Sequence, residues 1–426
     1  MDIVETDTLR LAALKLAAEQ HGDPTWLIDK RVAAAVRIKN LLMPRIQRFN
    51  YRNWELMQMN LRWQMSTLMP EVPTGTVQIV QVGQTTLRMN LPEELQQQGV
   101  ILTDIFTAAQ KYPALVKANL MTKTTPNDEH RLASYHLAYL NAGIFFYIPD
   151  DVALDDPIDI QVIQDSTRET PLISHILGVV GKNSHVVVNE HLTTVGTRKS
   201  VMNCITEIIA QENSQVTVTA IDELGADTTA YIERHAYASD HAIVDWAMGL
   251  MNKGHTIANF DTDLNGVGAQ ADTKIVAVTA NDQRMGVNTK ITNRGQHTTG
   301  HILQHGVILG TSELVYNGIG DIIHGASGSK AEQENRLLMM SDEAHGNANP
   351  ILLIDENDVL AGHAASVGQV DEKQLYYLMS RGLQRKSAER LVIRGFLGAV
   401  LSAIPNQKIR QQLVGIIERK LQNDQS

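Results

Sequence analysis

The stretch Ser341-Asp-Glu-Ala-His-Gly-Asn-Ala-Asn-Pro350, followed by Ile351-Leu-Leu-Ile354, Asp355-Glu-Asn-Asp-Val359 and Ala361-Gly-His-Ala-Ala-Ser-Val-Gly368, is the most informative part of this chain. Polar segments there surround a short apolar run, and the last eight residues predict a small-residue turn around one histidine. The helical pattern Gln374-Leu-Tyr-Tyr-Leu-Met-Ser-Arg-Gly382 begins soon afterwards. The chain therefore changes from short runs to helices near residue 368.

Short runs bounded by turn residues fill the middle of the chain from about residue 143. Their β-branched composition is typical of strands. They are Ile144-Phe-Phe-Tyr-Ile148, Ile158-Asp-Ile-Gln-Val162, His185-Val-Val-Val188, Gln215-Val-Thr-Val-Thr219, Ala242-Ile-Val-Asp-Trp246 and Lys274-Ile-Val-Ala-Val278. Because no helical stretch separates them, a βαβ sheet is excluded, and a sandwich or a solenoid of stacked coils remains.

Glycine corners favour the solenoid, a parallel β-helix, although no sharp repeat unit is visible. These corners are predicted at Gly295, Gly300, Gly306, Gly310 and Gly318.

Helical periodicity precedes the β region. Asp23 is predicted as the N-cap and Pro24 as the first position of a helix whose apolar residues recur from Leu27 to Ile38. That helix should end before Pro44. Two further helices are predicted, near Pro92-Glu-Glu-Leu95 and over Asn127 to about Leu140.

Helical periodicity returns after Gly368. Asp371 is predicted to cap one helix, Gly382 to end it and Ser387 to precede another. No low-complexity linker separates this tail from the β region, so the tail should pack against it. The expected organisation is a helical region with short strands over residues 1–140, a parallel β-helix core over 141–368 and a helical tail over 369–426.

Composition limits the function of the chain. With 426 residues, 43% of them hydrophobic, it can bury at least one large core. The formal net charge of -10 argues against nucleic-acid binding, which needs Lys and Arg to displace counterions from phosphate. The sequence has no run of about 18 apolar residues, and residues 1–7 lack a basic start before an apolar stretch. We therefore expect no membrane span, no signal peptide and a cytoplasmic location.

The chain contains a single cysteine, Cys204, among apolar neighbours. One cysteine excludes an internal disulfide framework and any metal or iron–sulfur site built from four cysteines of this chain. The pattern predicts a small buried residue on a strand.

The ending of the chain closely resembles that of the SufB/SufD family of iron–sulfur cluster assembly proteins. The amino-terminal segments Asp23-Pro-Thr-Trp-Leu27 and Tyr51-Arg-Asn-Trp54, and the segment Gln333-Glu-Asn-Arg-Leu-Leu-Met-Met-Ser341, look like the same family. The resemblance implies a mainly β fold, with a right-handed parallel β-helix flanked by helical regions at both ends. The chain is more similar to the SufD type than to the SufB type, because Ala361 stands where SufB usually carries a cysteine.

The resemblance also implies a function. The chain would be a non-catalytic scaffold that pairs with a SufB-like subunit and docks a SufC-like ABC ATPase through its tail, so that a cluster is built at the shared interface. His363 would be a ligand for iron or a transient cluster shared with the partner chain, and no cofactor would bind stably to this chain alone. Partner contacts in the tail are assigned to Tyr376, Arg381, Arg394 and Phe396.

Two alternatives remain open from the sequence. One is a SufB-like homodimeric scaffold, and a homodimer of this chain in isolation is also considered. The other is a carbohydrate-active enzyme on a β-helix, with Asp222, Glu223, Asp261 and Asp263 as carboxylates. An aromatic content of only 5% argues against the enzyme, since sugar-binding clefts use aromatic platforms.

Two motifs suggest chemistry that their context does not support. His297, His301 and His305 have a spacing that would suit zinc on a helix, but the local pattern predicts a strand and a corner. These histidines should form hydrogen-bonded ladders along stacked coils. The glycine-rich segment Gly318–Gly328 lacks the strand-to-helix setting of a nucleotide-binding loop, so any ATPase activity should belong to a partner.

Overall fold

A computed structural model describes residues 3–126, 128–404 and 407–423. The amino-terminal part contains helices α1 (Ile3–His21), α2 (Thr25–Arg37), α3 (Glu93–Gln97), α4 (Ile105–Lys111), α5 (Pro113–Asn119) and α6 (Arg131–Tyr139), with strands β1 (Val77–Val82), β2 (Thr85–Asn90) and β3 (Ile101–Asp104). The tail contains α7 (Glu372–Ser380), α8 (Arg385–Ala403) and α9 (Gln407–Asn423). Helices therefore lie at both ends of the chain, as predicted.

Strands occupy the region between these helices. They are β4 (Ala142–Ile148), β5 (Ile158–Ser166), β6 (Leu172–Val180), β7 (His185–Gly196), β8 (Ser200–Ala210), β9 (Gln215–Glu223), β10 (Thr228–Ala238), β11 (Ile243–Leu250), β12 (Thr256–Leu264), β13 (Gln270–Thr279), β14 (Arg284–Asn293), β15 (Thr299–Ile308), β16 (Glu313–Ile322), β17 (Lys330–Met339), β18 (His345–Ile354) and β19 (Leu360–Gln369). All six runs predicted from the sequence coincide with strands, with Ala242 alone lying one residue before β11.

Within the described residues the strands form two sheets, of ten and nine strands. From β4 onward successive strands alternate between the sheets, so even-numbered strands build one wall and odd-numbered strands the other. Neighbours in each wall pair in parallel, and antiparallel pairs occur between β1 and β2 and between β3 and β4. The result is a parallel β-solenoid of about eight turns, which confirms the predicted fold class.

Three apolar cores hold these parts together. The first fills the interior of the solenoid, because side chains that alternate along each strand point inward. The amino-terminal helices cover the outside of the nine-stranded sheet, where Tyr135 packs among residues such as Ile205. The tail covers the outside of the ten-stranded sheet, where Leu397 packs among residues such as Val276. The tail therefore packs against the β region, as predicted.

Some local predictions were wrong. The N-cap of α2 is Pro24 and makes no side-chain cap hydrogen bond, because the Asp23 carboxylate instead binds the buried Arg31 guanidinium and lies 2.7 Å from His21 Nδ1. Ser387 lies inside α8, which begins at Arg385. The predicted start of the third helix, Asn127, lies outside the described residues.

The predicted turn around the histidine at residues 361–368 is also wrong. These residues belong to β19, because that segment pairs in parallel with β17 along its whole length. The cap at Asp371 is confirmed, since its carboxylate accepts a hydrogen bond from the Lys373 backbone N–H.

Candidate functional site

The solenoid has an open end at β18 and β19. Each is the last strand of its sheet and pairs on one side only, with β16 and β17 respectively. Every residue of β19 is exposed, and β18 is half-exposed or exposed throughout. The other side of each strand therefore presents unpaired backbone N–H and C=O groups, which is the arrangement that receives a strand from another chain. We call β18 and β19 together the open end.

His363 lies on β19, directly opposite Gln333 of β17. Gln333 is buried between the more exposed Glu332 and Glu334, so it points into the solenoid, and His363 shares that side of the sheet. Its imidazole makes no hydrogen bond or ion pair with any residue that the structure describes. The His363 side chain is therefore exposed and without a partner among the described residues, on the inward-facing side of the edge strand β19.

The ligand chemistry around His363 is incomplete in this chain. Among the described residues, no group of three or more His, Cys, Asp and Glu side chains is arranged to hold a metal ion. Cys204 is fully buried inside the solenoid on β8, and burial, with the nearby Glu190 carboxylate, raises the pKa of its thiol well above the ordinary value. The predicted burial of Cys204 is confirmed. A thiol held in its neutral form is a poor nucleophile and a poor metal ligand.

The four predicted partner residues of the tail lie in different surroundings. Tyr376 is 73% exposed on α7. The Arg381 guanidinium, at the end of α7, lies 5.2 Å from the centre of the Tyr377 ring. Arg394 forms an ion pair with Glu418 of α9, with 3.3 Å between Nε and Oε1.

Phe396 faces the solenoid instead of solvent. Its ring centre lies 5.0 Å from that of His305, and its backbone oxygen lies 3.0 Å from His305 Nδ1. The structure thus leaves Tyr376 and Arg381 available on the tail surface and uses Phe396 for internal packing.

The carboxylates considered for an enzyme do not form one site. Asp222 points into the solenoid and binds Arg234, with 2.6 Å between Oδ1 and Nη2. Glu223 lies outside the ten-stranded sheet, 3.0 Å from His191 Nε2. Asp261 and Asp263 lie on β12, in the other sheet. Asp222 and Glu223 thus point to opposite faces of one sheet and the two aspartates of β12 lie on the other sheet, so the four carboxylates do not converge on one cleft.

Asp261 and Asp263 line a cleft of about 460 Å³ that sequence reasoning did not identify. Removal from water raises the pKa of Asp261 to about 7, against the lowering effect of the nearby His235 charge. Burial opposes the charge on His235, but its hydrogen bond to Asp263 and the neighbouring carboxylates outweigh burial and raise its pKa to about 9. The buried Glu233, bonded to Thr125, continues this polar network beneath the amino-terminal cover.

The three histidines around β15 do not share a ligand position. His301 Nδ1 lies 3.2 Å from Asp272 Oδ1 on β13, and His305 Nε2 lies 3.0 Å from Glu334 Oε1 on β17. Four residues along a strand separate two side chains by about 13 Å, too far for one metal ion. His297 lies at the corner before β15, with φ 58°. The expectation that these side chains bond along stacked coils is confirmed for His301 and His305.

The chain is thus a parallel β-solenoid with helical covers on both sheets and an open end. A family model described as "SUF system FeS cluster assembly, SufBD core domain" matches residues 162–396. The chain is 40% identical over 424 residues to the iron–sulfur cluster assembly protein SufD of Bacillus subtilis, covering 96% of this chain and 97% of that protein. It is 22% identical over 410 residues to an iron–sulfur cluster assembly SufBD family protein of Staphylococcus haemolyticus, covering 91% and 88%.

The chain therefore belongs to the SufBD family of the SUF system for iron–sulfur cluster assembly. Of the helices that the structure describes, none is long and apolar enough to cross a membrane.

Proposed function

We propose that this chain is a non-catalytic scaffold subunit of the SUF machinery. It pairs with a SufB-like subunit at the open end, docks a SufC-like ATPase on the tail and contributes His363 to a transient cluster at the shared interface. The observation that carries the proposal is the position of His363 on an edge strand that pairs on one side only, so that a strand from a second chain could lie on its other side.

The open end supports pairing on physical grounds. Long, fully exposed edge strands are rare in proteins that act alone, because they invite pairing with other chains. Here the edge strands also expose apolar side chains, including Leu360 at 64% and Leu353 at 49%. A partner that covers them would gain apolar burial together with backbone hydrogen bonds.

The incomplete ligand set supports a site shared between chains. A neutral imidazole is a competent ligand for iron, but one imidazole cannot complete the coordination of a cluster. The buried, protonated Cys204 does not reach the open end from inside the solenoid wall. The remaining ligands must then come from the partner, and we expect the isolated chain to hold no stable cluster after anaerobic reconstitution.

The tail surface supports docking of a second partner. Tyr376 and Tyr377 are 73% and 57% exposed beside Arg381, and aromatic residues with arginine commonly anchor protein interfaces. The opposite face of the tail is already used for packing on the solenoid. A double substitution of Tyr376→Ser and Arg381→Glu should prevent retention of the ATPase without loss of the fold. Gln384→Ala, an exposed position between α7 and α8, is the matched control.

The direct test of the site is His363→Ala in the complex co-expressed with the SufB-like and SufC-like subunits. Subunit composition and thermal unfolding should be unchanged, because the side chain is exposed. Cluster content and transfer to an acceptor protein should fall, since Ala361, Gly362 and Ala364 offer no replacement ligand. His324→Ala, which removes a histidine that is 85% exposed at a corner, is the control. Equal cluster content in both variants would show that His363 is not a ligand.

A further inference from the structure

A column of four asparagines runs along the outside of the nine-stranded sheet to the open end. Asn259, Asn288, Asn317 and Asn349 occupy directly paired positions on β12, β14, β16 and β18. In the last three, the Nδ2 donates to the Oδ1 of the preceding asparagine, at 3.1, 2.9 and 2.8 Å. We call these residues the asparagine column.

The direction of the asparagine column is fixed by the segment that covers it. Asn288 Nδ2 also donates to the backbone oxygen of Arg45 at 3.1 Å, and Asn317 Nδ2 to that of Gln47 at 3.3 Å. Backbone oxygens only accept hydrogen bonds, so these two amides cannot be turned around. The Oδ1 of Asn317 therefore faces β18, where Asn349 must donate to it.

This direction leaves an acceptor at the open end. Because Asn349 Nδ2 is directed back to Asn317, its Oδ1 points past β18, and it receives no hydrogen bond from the part of the chain that the structure describes. Asn349 is half-buried. Water can satisfy this oxygen while β18 is an edge, but a strand added beside β18 would displace that water.

The backbone beside Asn349 lacks a hydrogen-bond donor that a strand added at the open edge could use. The N–H groups of His345 and Asp355 donate to Ser312 and Ile322 on the β16 side, at 3.0 and 2.9 Å. Since backbone groups alternate in direction along a strand, even-numbered residues of β18 face the open edge. One of these is Pro350, which has no N–H. Side-chain hydrogen bonds must therefore contribute more to the register of an added strand at this position.

We infer that Asn349 sets the register of the partner strand on β18, and that the partner presents a short side-chain amide, an asparagine, directly opposite. This inference rests on the proposed pairing at the open end. Strands lie about 4.8 Å apart, and asparagine spans that distance in each existing step of the asparagine column. A lysine or arginine is too long to form the same step, and an aspartate offers only acceptors.

Asn349→Ala is the test variant, and Asn347→Ala is its matched control on the same strand, the same face and with similar half-burial. The dissociation constant for the SufB-like subunit is measured with each chain. Backbone hydrogen exchange of β18 is followed with and without that subunit. Unfolding of each isolated variant is compared with the parent chain, so that loss of fold is separated from loss of pairing.

We expect the partner to protect β18 from exchange, Asn349→Ala to weaken association about tenfold, and Asn347→Ala to change it less than twofold. Substitution of the opposing partner asparagine by alanine should produce no additional loss in the Asn349→Ala background. Protection of β18 with equal affinities for both variants would overturn this inference and leave the proposed pairing intact. Lack of protection in the parent chain would contradict the proposed pairing itself.

Discussion

Arg234 provides the most quantitative test of how the solenoid is held together. Its guanidinium is 1% exposed inside the solenoid. It lies 2.6 and 3.1 Å from the carboxylate oxygens of Asp222 and 2.8 Å from Glu190 Oε1. Burial works against the arginine charge, but these two carboxylates outweigh burial and raise the pKa of Arg234 above its ordinary value. The group is therefore charged and fully paired.

Arg234→Met keeps most of the side-chain volume and removes the charge. Two carboxylates would then remain buried without their cation, and breaking such a buried pair typically costs about 3–5 kcal/mol. Thr206 Oγ1, 3.0 Å from Glu190 Oε2, can stabilise only one of the two carboxylates. We expect a loss of about 4 kcal/mol at neutral pH, measured by guanidinium chloride unfolding followed by circular dichroism.

Two further variants sharpen the test. Arg394→Met removes an ion pair whose arginine is 58% exposed, and it should cost less than about 1 kcal/mol. The triple variant Arg234→Met, Glu190→Gln and Asp222→Asn removes the buried charges together and should regain most of the lost stability. If Arg234→Met were no more destabilising than Arg394→Met, the assignment of Arg234 as the cation that neutralises the interior would be wrong.

Three other predictions concern separate parts of the molecule. Removal from water raises the pKa of Asp261 to about 7, so its carboxyl lowers the free energy of unfolding of the parent chain as pH rises from about 4 to 7. The stability of Asp261→Asn relative to the parent chain should therefore be greater at pH 8 than at pH 5, as measured by denaturant unfolding. His305→Ala removes hydrogen bonds to α8 and β17 and should speed backbone hydrogen exchange in α8. Unchanged exchange would show that His305 does not anchor α8 to the solenoid. A Cβ at Gly178 would lie 2.1 Å from the Phe146 ring, so Gly178→Ala should lower the free energy of unfolding by about 1–3 kcal/mol, whereas Gly398→Ala, with no atom within 4 Å, should not destabilise the chain.

The pattern of the sequence predicted six of the sixteen strands from β4 to β19 but not how they pair. Runs such as Ile158–Val162 alternate between buried and half-buried side chains, which is the signal that strand prediction uses. Residues 361–368 lack that signal because they are mostly small, and only pairing with β17 makes them a strand. Asp23 was misassigned because a cap rule considers only the first turn of a helix, whereas Arg31, further along α2, binds its carboxylate instead.

The candidate site was only partly visible in the sequence. His363 was proposed as a ligand through the family motif that contains it, but an open end is defined by the absence of a following strand, which no local pattern encodes. The asparagine column did leave a signal, because its members are separated by 29, 29 and 32 residues, close to one solenoid turn. A search for polar residues at that interval would have aligned Asn259 with Asn349.

We propose above that this chain works as a subunit of an assembly complex. The most direct measurement is native mass spectrometry of the full-length chain purified by affinity from cell extract, with every bound protein identified. We predict that a SufB-like subunit and a SufC-like ATPase are retained together with the chain. Recovery of the chain without either protein, alone or as a homodimer that excludes them, would show that it does not work in such a complex.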